Sequence, residues 1–307
     1  MLETTPAAPR ARIIAVMTCF NRRPLTLACL AALEESARVA GVDLSVLLVD
    51  DASNDGTATA VRAQFPWVEV IDGEGNLYWN RGMHQGFARA LRRDADHYLW
   101  LNDDTHLVPD ALSMLLDQSN ALRRREGKPV VTVGATVGRD SGKLSYGGRV
   151  ARHRLRRFNY SLVWSEREPV PCQAMEGNCV LIPREIASKV GNLDPTFEHA
   201  MGDTDYGLRV LAAGYKLFVA PGIVGHCSVN PTGGTYFDSS LPLATRWRLI
   251  RSRKGLPVRS WLHFTRRHGG VLLPLHFAWP YARVLLSGFG GVLRRRHSDD
   301  KRLSRPA

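Results

Sequence analysis

Apolar runs of strand length that break abruptly into polar, turn-forming clusters limit what this chain can fold into more than any other feature. Arg12 to Cys19 (RIIAVMTC) runs into Phe20-Asn21-Arg22, Leu44 to Val49 (LSVLLV) into Asp50-Asp51-Ala52-Ser53-Asn54-Asp55-Gly56, and His97 to Leu101 (HYLWL) into Asn102-Asp103-Asp104. Short apolar runs bounded by turn residues read as buried strands. Between them the apolar spacing becomes helical: Leu25, Cys29, Ala32 and Leu33 within Pro24 to Val39, then Thr57 to Gln64, then Met83, Phe87, Ala90 and Leu91 within Arg81 to Arg92. Val68 to Ile71 adds a strand, and Pro109 to Leu116 begins the next helix. Strands alternating with helices predict an α/β, doubly wound, mainly parallel sheet. Ligands of such sheets bind beyond the carboxyl ends of the strands, where all three polar clusters fall.

Past Pro129 the pattern loosens. Val130 to Val137 reads as a strand, Arg149 to Glu168 as a basic, loop-rich stretch, Val180 to Ile182 as a strand and Arg184 to Val190 as a helix. Thr204 to Ala213 reads as a helix stopped by Gly214, and Lys216 to Ala220 as the last strand. Beyond about Thr235 arginines and lysines interleave with Trp247, Leu249, Ile250, Trp261, Leu262 and Phe264, and Arg294-Arg295-Arg296 closes an apolar segment. The expected division is a disordered leader over 1–11, a body over 12–235, a basic, mostly helical extension over 236–296 and a disordered tail over 297–307. The longest apolar stretch, Gly269 to Leu293, is interrupted by Pro274, His276, Pro280 and Arg283. A spanning helix needs about 20 nearly uncharged residues, so a segment lying on a membrane surface is expected.

A formal net charge of +12 over 307 residues asks for an anionic partner. Because the positive residues gather after the α/β body and flank apolar segments, an anionic membrane surface fits better than nucleic acid. Cysteines 19, 29, 172, 179 and 227 are odd in number and lack CxxC spacing, so neither a disulfide framework nor a zinc site is expected. The setting expected is cytoplasmic, peripheral on the cytoplasmic face of the cell membrane.

Each polar cluster has a bland reading and a chemical one. A carboxylate at a strand tip, such as Asp51, can accept hydrogen bonds from a base imide or a ribose hydroxyl; it can equally cap a helix, the reading turn preference favours for Asp55. Asn102-Asp103-Asp104 is a turn by statistics, yet one or two carboxylates suffice for Mg²⁺ or Mn²⁺ when phosphate oxygens complete the shell. Asp205 with Arg209 is a helical ion pair, whereas Asp203 sits at the loop mouth as a general-base candidate. His226, after the last strand, is either a satisfied histidine or a ligand for a Mn²⁺-like ion.

In order and spacing, VMTCFNR, VDDASNDGT, GNLYWNRGMHQGF, WLNDDT, EGNCVLIPR, GNLDPTFEHAMGDTDYGLR and APGIVGHC resemble the glycosyltransferases of family 2, which share the GT-A fold. The resemblance implies a GT-A-like sheet with a nucleotide-binding half and an acceptor half. It implies Thr18, Phe20, Asn21, Asp51, Asn80, Arg81 and Asp103 toward a nucleoside-diphosphate sugar, a uridine or thymidine diphosphate donor. It also implies Asp104 and His226 toward divalent Mn²⁺ or Mg²⁺, and Asp203 as the base of a single, inverting displacement onto a glycan or lipid-linked acceptor. The family's ED-type motif has Gly202 here in place of its Glu, and its metal motif begins with Asn102. The wording around Tyr78 and Asp203 is similar to enzymes that build bacterial surface polysaccharides, rhamnosyltransferases among them. A nucleotidyltransferase would share the scaffold, but TCFNRRP lacks the glycine-rich phosphate loop such enzymes use.

Overall fold

A computed structural model of the protein describes residues 10–153, 158–229 and 233–287. Most of the leader, the tail and Arg294 to Arg296 lie outside the described residues. The chain divides into two compact units, Met1–Val229 and Asn230–Ala307.

The first unit is built on eight strands: β1 (Arg12–Cys19), β2 (Asp43–Asp50), β3 (Val68–Asp72), β4 (His97–Leu101), β5 (Val131–Val133), β6 (Val170–Cys172), β7 (Cys179–Pro183) and β8 (Leu217–Val219). Their order in the sheet is β6-β8-β5-β7-β4-β1-β2-β3. β3, β2, β1 and β4 are parallel. β7 runs against both β4 and β5, β8 is parallel to β5, and β6 is antiparallel to β8. The sheet is thus mainly parallel, as its apolar runs predict.

Helices cover both faces, which is why the inner strands are apolar throughout rather than alternating. On one face α1 (Arg23–Ala40), α2 (Thr57–Gln64) and α4 (Ala111–Glu126) set Leu30, Leu33, Val61, Leu112 and Leu115 against Ile13, Ala15 and Met17. On the other, α3 (Tyr78–Ala90), α5 (Arg184–Val190) and α6 (Gly202–Ala212) set Met83, Phe87, Ile186 and Tyr206 against Ile14, Val16 and Trp100. Each fully buried Leu, Ile or Phe contributes about 1.5–3 kcal/mol, so this double core holds the strand ends still.

Several expectations need correction. Val130 to Val137 is two strands: pairing breaks at Gly134, whose amide donates to the Cys179 carbonyl, and Thr136–Val137 joins a separate four-stranded sheet. A side chain at Gly134 would meet Val224 at 2.4 Å, so the crossing is closed to anything larger. The stretch expected as loop between Arg149 and Glu168 contains an antiparallel pair, Gly148–Ala151 with Tyr160–Val163. α3 begins at Tyr78 rather than Arg81, because a distant carboxylate receives its first amides. All five cysteines are free and buried.

The second unit contains α7 (Leu243–Ile250), α8 (Val258–His268), a 3-10 turn (Gly270–Leu272) and a helical run over 273–287. Trp261 and Phe264, which interleave with the basic residues of the extension, are buried and stacked, their centroids 5.5 Å apart. The Trp261 indole donates to the Phe277 carbonyl at 3.0 Å, the partner a buried indole N–H requires. Exposed large apolar residues among the described residues of this unit are Phe237, Val258, Val271, Leu275, Trp279, Leu285 and Leu286. Among the described residues no helix is long and apolar enough to cross a membrane.

Candidate active site

The first functional loop follows β1 and is pinned to the loop after β2. The Asn21 amide donates to the Ser53 hydroxyl at 2.9 Å, the Asn54 amide to Asn21 Oδ1 at 2.8 Å, and the Arg23 amide to Asp55 Oδ2 at 2.9 Å. Asp55 also accepts the Thr57 amide, so one carboxylate receives the first amides of both α1 and α2. The capping reading of Asp55 thus describes it well. Asn21 latches the loop, Thr18 lies against Gly82 of α3, and Phe20 stands 52 % exposed at the rim.

Asp51 does not present a free carboxylate to a base. It is 6 % exposed, and its oxygens accept the amides of Gly75 at 2.8 Å, Leu77 at 2.9 Å and Tyr78 at 3.1 Å. A negative side chain on the first amides of a helix satisfies groups that have no intrahelical partner, so Asp51 caps α3.

Beyond β4, Asp103 and Asp104 face one cation. Arg22 Nη1 lies 3.2 Å from Asp103 Oδ1 and 2.8 Å from Asp104 Oδ2. Burial pushes the Asp103 carboxyl up to about 7; Arg22 pulls against that and the charge of Asp104 adds to it. Asn102 accepts the Trp79 indole N–H at 2.7 Å, which explains an amide at the motif's first position. Among the described residues no three His, Cys, Asp or Glu side chains gather as a self-sufficient metal site. Asp103 and Asp104 nonetheless fit a divalent ion that completes its shell with phosphate and water, since a positive charge already stands between them.

His226 is exposed, on a short strand (Gly225–His226) paired with His106–Leu107, and does not join a metal-binding group with Asp103 and Asp104. Its neighbour Cys227 points its thiol at Asp104 Oδ1, 3.4 Å away.

Asp203 begins α6. Its Oδ1 accepts the Thr204 amide at 2.6 Å and its Oδ2 the Gly177 amide at 3.2 Å. Gly177 belongs to the segment entering β7, and because that strand is reversed, its start arrives at the edge where β4 ends. Asn102 and Asn178 are joined there, amide to carbonyl, at 3.0 Å. Beside Asp203 lies Glu176, 3.4 Å from Arg149, which in turn donates to Thr204 at 2.8 Å. Burial, opposed by Arg149 and reinforced by the charge of Asp203, raises Glu176 to about 6.

Two further expected donor contacts are committed elsewhere. Asn80 is fully buried, and its amide donates to the carbonyls of Asp194 at 2.9 Å and Phe197 at 2.7 Å. Arg81 is tied to the Pro195 carbonyl at 3.1 Å and to Glu198 at 3.5 Å. Asn80 also explains Gly202: a Cβ there would stand 1.6 Å from Asn80 Oδ1, so no side chain, Glu included, fits this position. Asp205 pairs with Arg209 at 2.8 Å as expected, but fully buried, with the same guanidinium bound to the carbonyls of Val190 and Asn192. A groove lined by Arg10, Arg12, Val42, Asp43 and Asp96 opens at the opposite end of β1 and β2, away from these residues.

The sequence model of glycosyl transferase family 2 matches residues 14–185, from β1 through β7. The chain belongs to that family. An N-acetylglucosaminyl-diphospho-decaprenol L-rhamnosyltransferase of Mycobacterium tuberculosis is 24 % identical over 215 residues, 62 % of this chain and 68 % of that protein. The fold is similar to that of the mannosyltransferase PcManGT from Pyrobaculum calidifontis in complex with GDP-Man and Mn²⁺. That likeness has a TM-score of 0.51 at 20 % identity, over 91 % of this chain and 76 % of the other. S. aureus TarS 1-349 matches with a TM-score of 0.51 at 10 % identity, over 89 % and 73 %. This family 2 member is therefore a GT-A-like glycosyltransferase.

Sequence reading missed Arg22 and Glu176, although both stand in the quoted motifs. The signal for Glu176 needs the reversed direction of β7, which local spacing does not carry.

Proposed function

We propose that this glycosyltransferase transfers a sugar, with inversion, from a nucleoside diphosphate donor to a hydroxyl of a glycan or lipid-linked acceptor in cell-surface polysaccharide synthesis. Uridine and thymidine diphosphate sugars are the donors proposed, and Asp203 is the base. The observation carrying this reading is the convergence of Asp203, through Gly177 and Asn178, on the strand edge that bears Asn102 to Asp104.

Asp203 is held by two amides and keeps lone pairs for an acceptor hydroxyl, whose proton it takes as the oxygen attacks the anomeric carbon. One displacement inverts the centre; a double displacement needs a second carboxylate as nucleophile, and Glu176 is engaged by Arg149 and the Gly147 amide. Asp103 and Asp104 would hold Mn²⁺ or Mg²⁺, which when bound neutralises the departing diphosphate. Phe20, exposed beside Thr18, is available to stack on the base. The acceptor class is argued from the rhamnosyltransferase relative, whose name specifies a decaprenol-linked sugar. The basic extension supports an anionic membrane partner on the cytoplasmic face, with Arg248, Arg251, Arg259, Arg266 and Arg267 exposed.

The test is a donor panel: thermal shift and hydrolysis with uridine-, thymidine- and guanosine-diphosphate sugars, with and without Mn²⁺ or Mg²⁺, on wild type and Asp203→Asn. Metal-dependent binding of one donor by both proteins, with turnover lost only in Asp203→Asn, is expected. Turnover near wild type in the variant removes Asp203 from the mechanism.

A further inference from the structure

We propose that Arg22 is a resident counter-cation that makes metal binding by Asp103 and Asp104 conditional on a diphosphate. The inference rests on the reading of those carboxylates as the metal-diphosphate site. A single nitrogen of Arg22 serves both, at 3.2 Å and 2.8 Å, and so occupies the bridging position an incoming cation needs. Among the described residues Arg22 is the one ion-pair partner of either carboxylate.

The residue is built as a fixed base with a movable arm. Both its neighbours are fastened: Asn21, held in the left-handed region at φ 52, by Ser53 and Asn54, and the Arg23 amide by Asp55. Its own carbonyl accepts the Thr26 amide at 2.9 Å. The side chain is 40 % exposed, against 7 % for Asp103 and 20 % for Asp104, so the guanidinium can leave while the carboxylates stay.

Charge arithmetic makes the two ligands cooperative. A bare divalent ion must evict Arg22 and leave a guanidinium unpaired next to two further positive charges. An ion arriving with a diphosphate brings the anion that the released guanidinium can pair with, in the bidentate manner arginine favours. Each ligand then raises the affinity for the other by the same factor, as linkage requires; couplings of this kind run from about 5-fold to 150-fold. Removing Arg22 abolishes the competition, so bare metal binds better and the diphosphate adds less.

The experiment measures free Mn²⁺ by electron paramagnetic resonance in titrations of the full chain, alone and with uridine, thymidine or guanosine diphosphate. Wild type, Arg22→Gln and Arg22→Met are compared, the last keeping length without charge. Wild type should bind Mn²⁺ weakly alone and about tenfold or more tightly with the matching diphosphate. Both variants should bind bare Mn²⁺ more tightly than wild type, with the diphosphate enhancement reduced by a similar factor. Stabilisation by Mn²⁺ in thermal unfolding gives the same comparison should either variant be less stable. Bare Mn²⁺ affinity unchanged or lower in both variants, with wild type still showing the enhancement, overturns the role of Arg22 alone. No Mn²⁺ binding by wild type with any of the three diphosphates overturns the metal reading beneath it.

Discussion

Glu176 is a half-buried carboxylate between one arginine and a second acid, and its titration has a definite sign. Its folded-state value near 6 exceeds the ordinary 4.5, so the fold favours the protonated form. Its contribution to stability is complete below pH 4.5 and is lost as pH rises through about 6. Urea unfolding at pH 4.5 and pH 7 should therefore show a loss of stability on raising pH in wild type that is smaller in Glu176→Gln. Asp51 makes a different kind of claim, since its work is to receive the amides of Gly75, Leu77 and Tyr78. Asp51→Ala strands three amides and should cost about 2–4 kcal/mol without any ligand; a loss confined to nucleotide binding would return Asp51 to the donor. At this scale the sequence was readable where partners are near: Asp55 caps the turn beside it, and Asp205 finds Arg209 four residues on. Asn80 was not readable, because its partners are carbonyls 114 and 117 residues away.

Elements came through from periodicity wherever both faces of the sheet are covered, as β1, α2 and β4 illustrate, and failed where a strand changes sheets at Gly134. The direction of β7 was not legible either, since an apolar run has the same pattern read forward or reversed. Among the described residues the non-glycine positions with positive φ, Asn21, Ala52, Tyr78 and Met201, all lie in loops or helix starts around the candidate site. Such conformations persist only when the surroundings over-determine them. The start of α6 is the tightest case, with Met201 strained and Gly202 under Asn80. Gly202→Ala should lose about 1–3 kcal/mol through overpacking, measured by chemical denaturation. Because the clash is with one side chain, Asn80→Gly added to Gly202→Ala should cost less than the sum of the single changes; strict additivity would mean the strain lies elsewhere.

For the whole molecule, the division after Val229 separates the unit bearing Asp103, Asp104 and Asp203 from the basic extension. A chain ending at Val229 should remain folded on its own double core and keep nucleotide-sugar binding, while losing retention on anionic vesicles. Reversing Arg266 and Arg267 to Glu in the full chain should weaken vesicle binding by about 1 kcal/mol for each positive charge removed near the surface. Vesicle co-sedimentation checks both, and undiminished sedimentation of the shortened chain would exclude the extension as the docking element. The placement of β7 between β4 and β5 has a consequence for how the protein is made. β5 leaves the ribosome before either strand it pairs with, and β4 waits for residues 179–183 to gain its second neighbour. During synthesis the half-sheet around Asp103 is therefore an open apolar edge, of the kind that calls on chaperones, until residues 179–183 have been made.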